Sequence, residues 1–331
     1  MMNSLTIVLR RGFLRGALCA IALALPAAVP AKESYPNRTV RIIVPFAPGG
    51  PTDILARLVA AGLEQSLGKS FIIENRPGAS GNIGTGSVAQ AEPDGYTLLI
   101  TSSALTANPA LFNDIPYDPI KDLAPVAELG TSPNVFVAHP DTGIKMMGQL
   151  VAEAKKNPGV LNIAIPGLGT TPHLAAELLK LRADLDIVNV PFAGAGPSIQ
   201  AVLGGQTQTA STALPPAQPH IQSGALNGLA VTGSERWPDL PEVPTMVELG
   251  YKDFVLETVI PFLAPAGTPQ KIIEILAERT IAVLKHPAVR ERARHAGFQV
   301  LANGPEELRA RIAREVPKYK NLVSEAGIQK Q

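Results

Sequence analysis

Five short β-branched runs in this chain end in turns built almost wholly from glycine, proline, alanine and hydroxylated residues, and several of those turns lead straight into stretches with apolar residues at helical spacing. The runs end at Pro45, Thr101, Ile165, Val190 and Thr212. After the first come Ile54, Leu55, Leu58, Val59, Gly62, Leu63 and Leu67, the spacing of one buried helix face. Phe71-Ile72-Ile73-Glu74 predicts a second strand, Ile83 to Gln90 a second helix and Thr97 to Thr101 a third strand. The alternation restarts after Pro140, with helices over Met146 to Lys155, Pro172 to Leu181, Pro197 to Leu203 and Ala217 to Ser223. Strands over Leu161 to Ile165, Ile187 to Val190, Gln208 to Thr212 and Leu229 to Thr232 fall between and after them. Strands that return in parallel need a crossover, and the helices supply it. The expected fold is α/β in two domains, each a mostly parallel sheet flanked by helices.

One more strand is predicted over Val259 to Ala264, and from Pro269 onward the pattern reads as helix throughout, with Ile272, Ile273, Ile275, Leu276, Ile281 and Leu284 spaced for burial. A lone strand followed only by helices cannot make a sheet, so it is expected to return to the first unit. The chain then crosses between domains twice, near Ala127 to Ala138 and near Phe254 to Phe262. Residues 32–132 with 259–331 form the first domain and 133–258 the second. A small ligand belongs in the cleft between them.

In parallel sheets all five turns lie at the carboxyl ends of strands, where open α/β sheets hold ligands. The turns comprise Phe46-Ala47-Pro48-Gly49-Gly50-Pro51-Thr52, Ser102 and Ser103 through Asn108, Pro166-Gly167-Leu168-Gly169-Thr170-Thr171, Pro191-Phe192-Ala193-Gly194-Ala195-Gly196, and Ala213-Leu214 after Thr212. They carry no charge and offer glycine amides, hydroxyls and one carboxamide. Free N–H groups at a helix start favour an anion, with roughly 0.3–1 kcal/mol from each dipole. Four or five such donors offset the desolvation of one carboxylate without a formal cation. A single turn of this kind also serves merely to end a strand; five at one edge are harder to dismiss.

Other chemistries lack their residues. No lysine stands in a phosphate-loop pattern, and Gly167-Leu168-Gly169-Thr170-Thr171-Pro172 approaches a dinucleotide fingerprint but ends in proline. His139, His173, His220, His286 and His295 are dispersed without metal-ligand spacing; His173, at a helix start, either caps the turn or approaches the ligand. Ser80 and Ser87 lack the nucleophile-elbow pattern. The turns contain no paired carboxylates, so catalysis, cofactor and metal are all unsupported. Asp53 and Arg57 are spaced for an i,i+4 pair.

Arg10, Arg11 and Arg15 precede an uncharged apolar stretch from Gly16 to Val29, too short for a membrane span of roughly 20 residues, which reads as an export signal over 1–31. Arg10-Arg11-Gly12-Phe13-Leu14-Arg15 resembles the twin-arginine motif and equally an ordinary basic leader; either route leads to the periplasm. The one cysteine, Cys19, lies inside that segment, and its loss leaves no disulfide or thiolate chemistry. Removing three arginines from the 29 basic residues leaves 26 against 28 acids, with no charge field suited to nucleic acid.

Val44-Pro45-Phe46-Ala47-Pro48-Gly49-Gly50-Pro51-Thr52-Asp53, Glu74-Asn75-Arg76-Pro77-Gly78-Ala79-Ser80-Gly81-Asn82-Ile83-Gly84, Pro93-Asp94-Gly95-Tyr96-Thr97-Leu98-Leu99 and Ala264-Pro265-Ala266-Gly267-Thr268-Pro269 resemble, in this order, the Bug-type substrate-binding proteins of tripartite tricarboxylate transporters. The resemblance covers essentially the whole chain after the leader. It implies a non-catalytic, periplasmic, two-domain Venus-flytrap receptor that closes on a small di- or tricarboxylic or related acid and works with membrane permease subunits. It implies ligand contacts by Phe46, Ala47, Pro48, Gly49 and Gly50 and by the Ser102 region, with Gly167, Gly169, Thr170, Thr171, Ala193 and Gly194 from the second domain. A receptor that opens and closes is expected to be a monomer.

This chain has Ser211-Thr212 where the family often has Phe-Asp, so an acidic partner for a ligand ammonium is missing and an acid without an amine is expected. Val259 and Pro261 stand where the family tends to place an aromatic and a glycine. A ligand-presenting partner of a membrane kinase, and a secreted α/β hydrolase, are the competing readings.

Overall fold

The computed structural model describes residues 35–325 and 327–330; the export signal expected over 1–31 lies outside them. The chain falls into two units, 1–37 and 38–331, and the fold is that of the second. It opens with β1 (Val40–Val44), α1 (Pro51–Leu67), β2 (Phe71–Asn75), α2 (Asn82–Ala89), β3 (Thr97–Ile100) and α3 (Ala104–Leu111). A strand of sixteen residues, β4 (Leu123–Ala138), leads to α4 (Met147–Lys156), β5 (Asn162–Ile165), α5 (Thr171–Ala183), β6 (Val188–Pro191), α6 (Ala195–Leu203), β7 (Thr209–Ala213), α7 (Leu214–Gln222) and β8 (Asn227–Val231). The chain ends with β9 (Glu257–Pro265), α8 (Gln270–Lys285), α9 (Pro287–His295), β10 (Gln299–Asn303) and α10 (Pro305–Glu325).

Strand order is β2-β1-β3-β9-β4-β7-β5-β6, with β8 and β10 also on β4. The parallel cores match the alternation in the sequence: β1 lies parallel to β2 and β3, and β5 parallel to β6 and β7. The two long crossing strands turn each sheet from mostly parallel to mixed. β9 runs antiparallel to β3 and β4, and β4 antiparallel to β7 and β8, because a chain that leaves one half and returns must run both ways. β4 changes partners midway: Leu123 to Pro133 pair with β9, and Asn134 to Ala138 with β7.

The C-terminal segment departs from the expected unbroken helix. Gln299–Asn303 forms β10, antiparallel to β4, between Gly297 and the Gly304-Pro305 start of α10. Gly130 makes room for it, since a Cβ there would lie 2.6 Å from the Gln299 carbonyl oxygen.

Strand alternation sorts the core residues by face. In the second half Phe136, Ile163, Ile165 and Leu179 pack on the side of α4 and α5, and Val135, Val137, Ala164 and Ile199 on the side of α6 and α7. In the first half Ile43, Leu99 and Leu263 meet Leu308 and Ile312 of α10. Arg311 of α10 pairs with buried Glu128 of β4 and with Glu315, whose other oxygen accepts from the Thr106 hydroxyl at 3.1 Å. α3 is thereby anchored from behind.

Candidate functional site

The turns after β1, β3, β5, β6 and β7 meet at a cavity of about 30 Å³. A water takes roughly 10–15 Å³ on this scale, so there is room for about two small groups. Phe46, Gly50, Pro51 and Thr52 line it from the first turn and α1, and Ser102 from the turn after β3. Pro166, Thr170, Thr171 and Pro172 line it from β5 and α5, with Ala195 of α6, Ala213 of β7 and Thr258 of β9. None of these side chains is charged. The starts of α1, α5 and α6 thus border one small space, and only α5 has a side-chain cap, the Thr170 hydroxyl accepting from His173 N–H at 3.4 Å. The first N–H groups of a helix have no partner within it, and Thr52 and Ala195, at the starts of α1 and α6, both line the cavity. Proline at Pro51 and Pro172 begins two of the helices without adding a further donor.

One network sets the shape of the first turn. Asn75 Nδ2 donates to the Phe46 carbonyl and to Asp53 Oδ1, both at 3.0 Å, and Gly49 N–H donates to Asp53 Oδ2 at 3.1 Å. Arg57 grips the same carboxylate with Nε at 3.0 Å and Nη2 at 2.9 Å. Burial pushes the Asp53 carboxyl up, but the bonds from Arg57, Gly49 and Asn75 and the charge of Arg57 outweigh it and hold the pKa below its ordinary value. Asp53 is therefore ionised and internally neutralised at the third position of α1. Its pairing with Arg57 appears in the sequence as spacing alone; the part played by Asn75 does not.

His173 shapes the turn after β5 and does not line the cavity. Its Nδ1 accepts from Gly169 N–H at 3.2 Å, while the Thr170 hydroxyl donates to the Gly167 carbonyl at 2.8 Å. Burial, aided by Lys180 and opposed by Glu177, pushes the imidazole pKa down to about 4, so the ring is neutral and can accept. Gly167 and Gly169 both have positive φ, +121° and +77°. Asn108 faces Gly169 so closely that a Cβ there would lie 2.1 Å from Asn108 Oδ1. Its Nδ2 donates to Ser80 O and Asn82 Oδ1, and Asn108 lies beside the cavity, not on its wall.

The remaining expected site residues divide between closure and support. Ala47 N–H donates to the Ala193 carbonyl at 3.1 Å, joining the turn after β1 to the turn after β6. Gly194 lies against Ala47, and Pro48 and Gly49 against Gly196. The Ser103 hydroxyl accepts from Val259 N–H at 2.9 Å, tying its turn to β9, while Ser102 accepts from Ala104 N–H at 3.2 Å. Thr212 is buried and off the cavity, sharing the face of β7 that carries Ala210 toward α6 and α7. Ala213, the next residue, takes the place on the wall. Ser211 is occupied elsewhere, donating to Pro172 O at 2.7 Å.

Two residues escape a reading of the turns. Thr258 lies on β9 and lines the cavity; its hydroxyl is 2.6 Å from that of Thr171 and donates to Asn134 Oδ1 at 2.9 Å. Asn134, on β4, orders both threonines. Among the described residues no three His, Cys, Asp or Glu cluster as metal ligands, and no helix is long and apolar enough to cross a membrane.

Residues 55–328 match the family described as "Tripartite tricarboxylate transporter family receptor". The chain belongs to that family. The receptor is similar to the periplasmic binding protein BugD, at 34% identity and TM-score 0.87, over 90% of this chain and 100% of BugD. It is similar to R. palustris Rpa4515, solved with adipate, at 32% identity and TM-score 0.87, over 90% and 100% of the two chains. MatC from Rhodopseudomonas palustris, solved with malate, is 33% identical with TM-score 0.83, over 87% and 100%. The receptor thus has the two-domain periplasmic-binding-protein fold, and its family consists of solute-binding receptors, not enzymes. Receptors of this family bind small carboxylates and work with transporter membrane subunits.

Proposed function

We propose that this receptor, exported to the periplasm as a monomer, captures a small carboxylate without an amine and presents it to the membrane subunits of a tripartite tricarboxylate-type transporter. The carrying observation is the convergence of helix starts and uncharged turns on one cavity without a cationic side chain. Such a wall stabilises a carboxylate through N–H donors and dipoles. The adipate and malate found in two similar proteins are of the same chemical class. An amine is disfavoured because no acid lines the cavity and both Asp53 oxygens are engaged by Arg57 and Asn75 or Gly49.

The two domains of this reading are 32–132 with 259–331, and 133–258. Their boundary is supported by the change of partner along β4 between Pro133 and Asn134. The ligand meets the open first domain, and closure adds Thr170, Thr171 and Ala195; it is driven only by the ligand's greater affinity for the closed form. A thermal-shift screen of residues 32–331 against dicarboxylates, tricarboxylates, aromatic acids, amino acids, sugars and nucleotides tests the reading, since bound ligand raises apparent stability. A rise confined to carboxylates is expected; a rise only with sugars or nucleotides refutes it. Thr171→Val weakens carboxylate binding by roughly tenfold while the variant still folds, through loss of one buried hydrogen-bonding group.

A further inference from the structure

We propose that α7 and the turn that ends α9 form a latch between the two halves of the receptor, holding it closed through contacts that the ligand does not touch. The latch presupposes the closure of two domains read above, not any one ligand. α9 ends in a glycine turn: Ala296 N–H donates to Arg292 O, Gly297 N–H to Arg294 O and Phe298 N–H to Ala293 O, with Gly297 at φ +90°. The carbonyls of Arg292, Ala293 and Arg294 are thus filled from within the turn. That of His295 takes its hydrogen from α7, from Gln218 Nε2 at 3.0 Å. Gln218 is only 2% exposed, and a Cβ on Gly297 would lie 3.2 Å from Gln218 Oε1 and from Pro215 Cα. The rim of the same contact is charged. Asp239 accepts from Arg294 Nη1 at 2.7 Å, its Oδ2 lies 3.2 Å from His295 Nδ1, and its carbonyl accepts from Gln222 Nε2 of α7 at 3.3 Å.

The two sides belong to different halves. Leu214 and Ala217 of α7, with Leu240 beside Asp239, are buried against Val135 and Val137, in the part of β4 that pairs with β7. The turn after α9 continues into β10, whose Gln299 and Val300 pair with Thr131 and Gly130, in the part of β4 that pairs with β9. A rotation of one half against the other therefore acts on this contact. None of Gln218, Asp239, Arg294, His295 and Gly297 lines the cavity. Contacts made only in the closed form raise its population whatever occupies the cleft, and affinity rises with that population. The latch also limits itself. Gln218 Oε1 is buried without a hydrogen-bond partner among the described residues, so opening, which hydrates it, offsets part of the bond to His295.

Residues 32–331 contain no cysteine, so spin labels on cysteines introduced at exposed positions of α1 and α6, whose starts meet at Gly50 and Ala195, read the distance between the halves. Gln218→Met keeps the side chain's length and packing. It removes the unpartnered Oε1 but leaves the His295 carbonyl unpartnered instead, so its net loss is the bond. In the ligand-free protein the ratio of short to long distances should fall roughly three- to tenfold in this variant. Asp239→Asn, at the partly exposed rim, should lower it less, and serves alone if Gln218→Met does not fold. By calorimetry Gln218→Met should weaken malate and adipate by the same factor; unequal factors overturn the latch by making Gln218 a ligand contact. A ratio that malate or adipate raises but neither variant changes overturns the latch and leaves the receptor reading standing. A ratio that the variants lower but no carboxylate raises keeps the latch and refutes the carboxylate. One distance that nothing moves overturns closure and the latch together.

Discussion

A single carboxamide, Asn75, holds the turn after β1 by bonding the Phe46 carbonyl and Asp53 together. Asn75→Ala leaves both acceptors short of a donor, so equilibrium unfolding should show a loss of about 1–2 kcal/mol, and calorimetry a weaker carboxylate affinity. His173 gives a pH signature. Its folded pKa, about 4, lies below the ordinary value near 6.5, so the unfolded chain takes up the proton first. The stabilisation is complete above pH 6.5 and is lost as the pH falls toward 4, about 3 kcal/mol in all. His173→Asn keeps an acceptor for Gly169 N–H without the titration, and its denaturant midpoint should change less over that window; an equal change refutes the assignment. At this scale the sequence is only partly legible. Thr170, Thr171 and the glycines stand out because turn chemistry demands them, whereas Asn134 and Thr258 lie inside strands and act through partners 37 to 124 residues away.

Elements are more legible than side chains, since period and punctuation mark β1 to β3 and β5 to β9 with boundaries shifted by only a few residues, whereas β4 enters only as a chain crossing near Ala127 to Ala138 and α3 is read as part of a turn. β10 is missed because five residues between two helices are too short to break a helical pattern, and its partner β4 is distant in sequence. The start of α6 carries a further consequence. A Cβ on Gly196 would lie 2.6 Å from the Pro48 carbonyl oxygen, and its other near neighbours all belong to Gly49. Gly196 has no positive φ, so alanine suits the helix itself and collides only when the two turns meet. Gly196→Ala should therefore leave the thermal midpoint of the free protein within a few degrees of wild type, yet weaken ligand binding by tenfold or more, a collision costing about 1–3 kcal/mol. Unaltered affinity in that variant would mean that the turns do not meet in the bound form.

For the whole molecule, the alternation of strand and helix reveals the two parallel cores, and the lone strand before the last helices reveals the return of the chain. The mixed character of the sheets follows only from the crossing strands, whose pairing is long-range. Away from the cavity, Asp239, after β8, bonds Arg294 at 2.7 Å and His295 at 3.2 Å, both on α9. These pairs join segments attached to different halves of the sheet. Their partly exposed setting limits them to roughly 0.2–1 kcal/mol. Asp239→Asn should weaken binding less than about fivefold, and the difference should vanish near 1 M salt.

β4 and β9 are paired to each other where they pass between the halves, Ser132 opposite Thr258 and Pro133 opposite Glu257. A rotation about that ladder displaces an atom in proportion to its distance from it. Asn134 and Thr258 lie at the axis, whereas the contact of Ala47 with Ala193 is made in the turns. A rotation about the ladder therefore separates the turns, Ala47 from Ala193 among them, far more than it separates Thr258 from Asn134, so water entering the cleft reaches the turns before it reaches the strands beneath them.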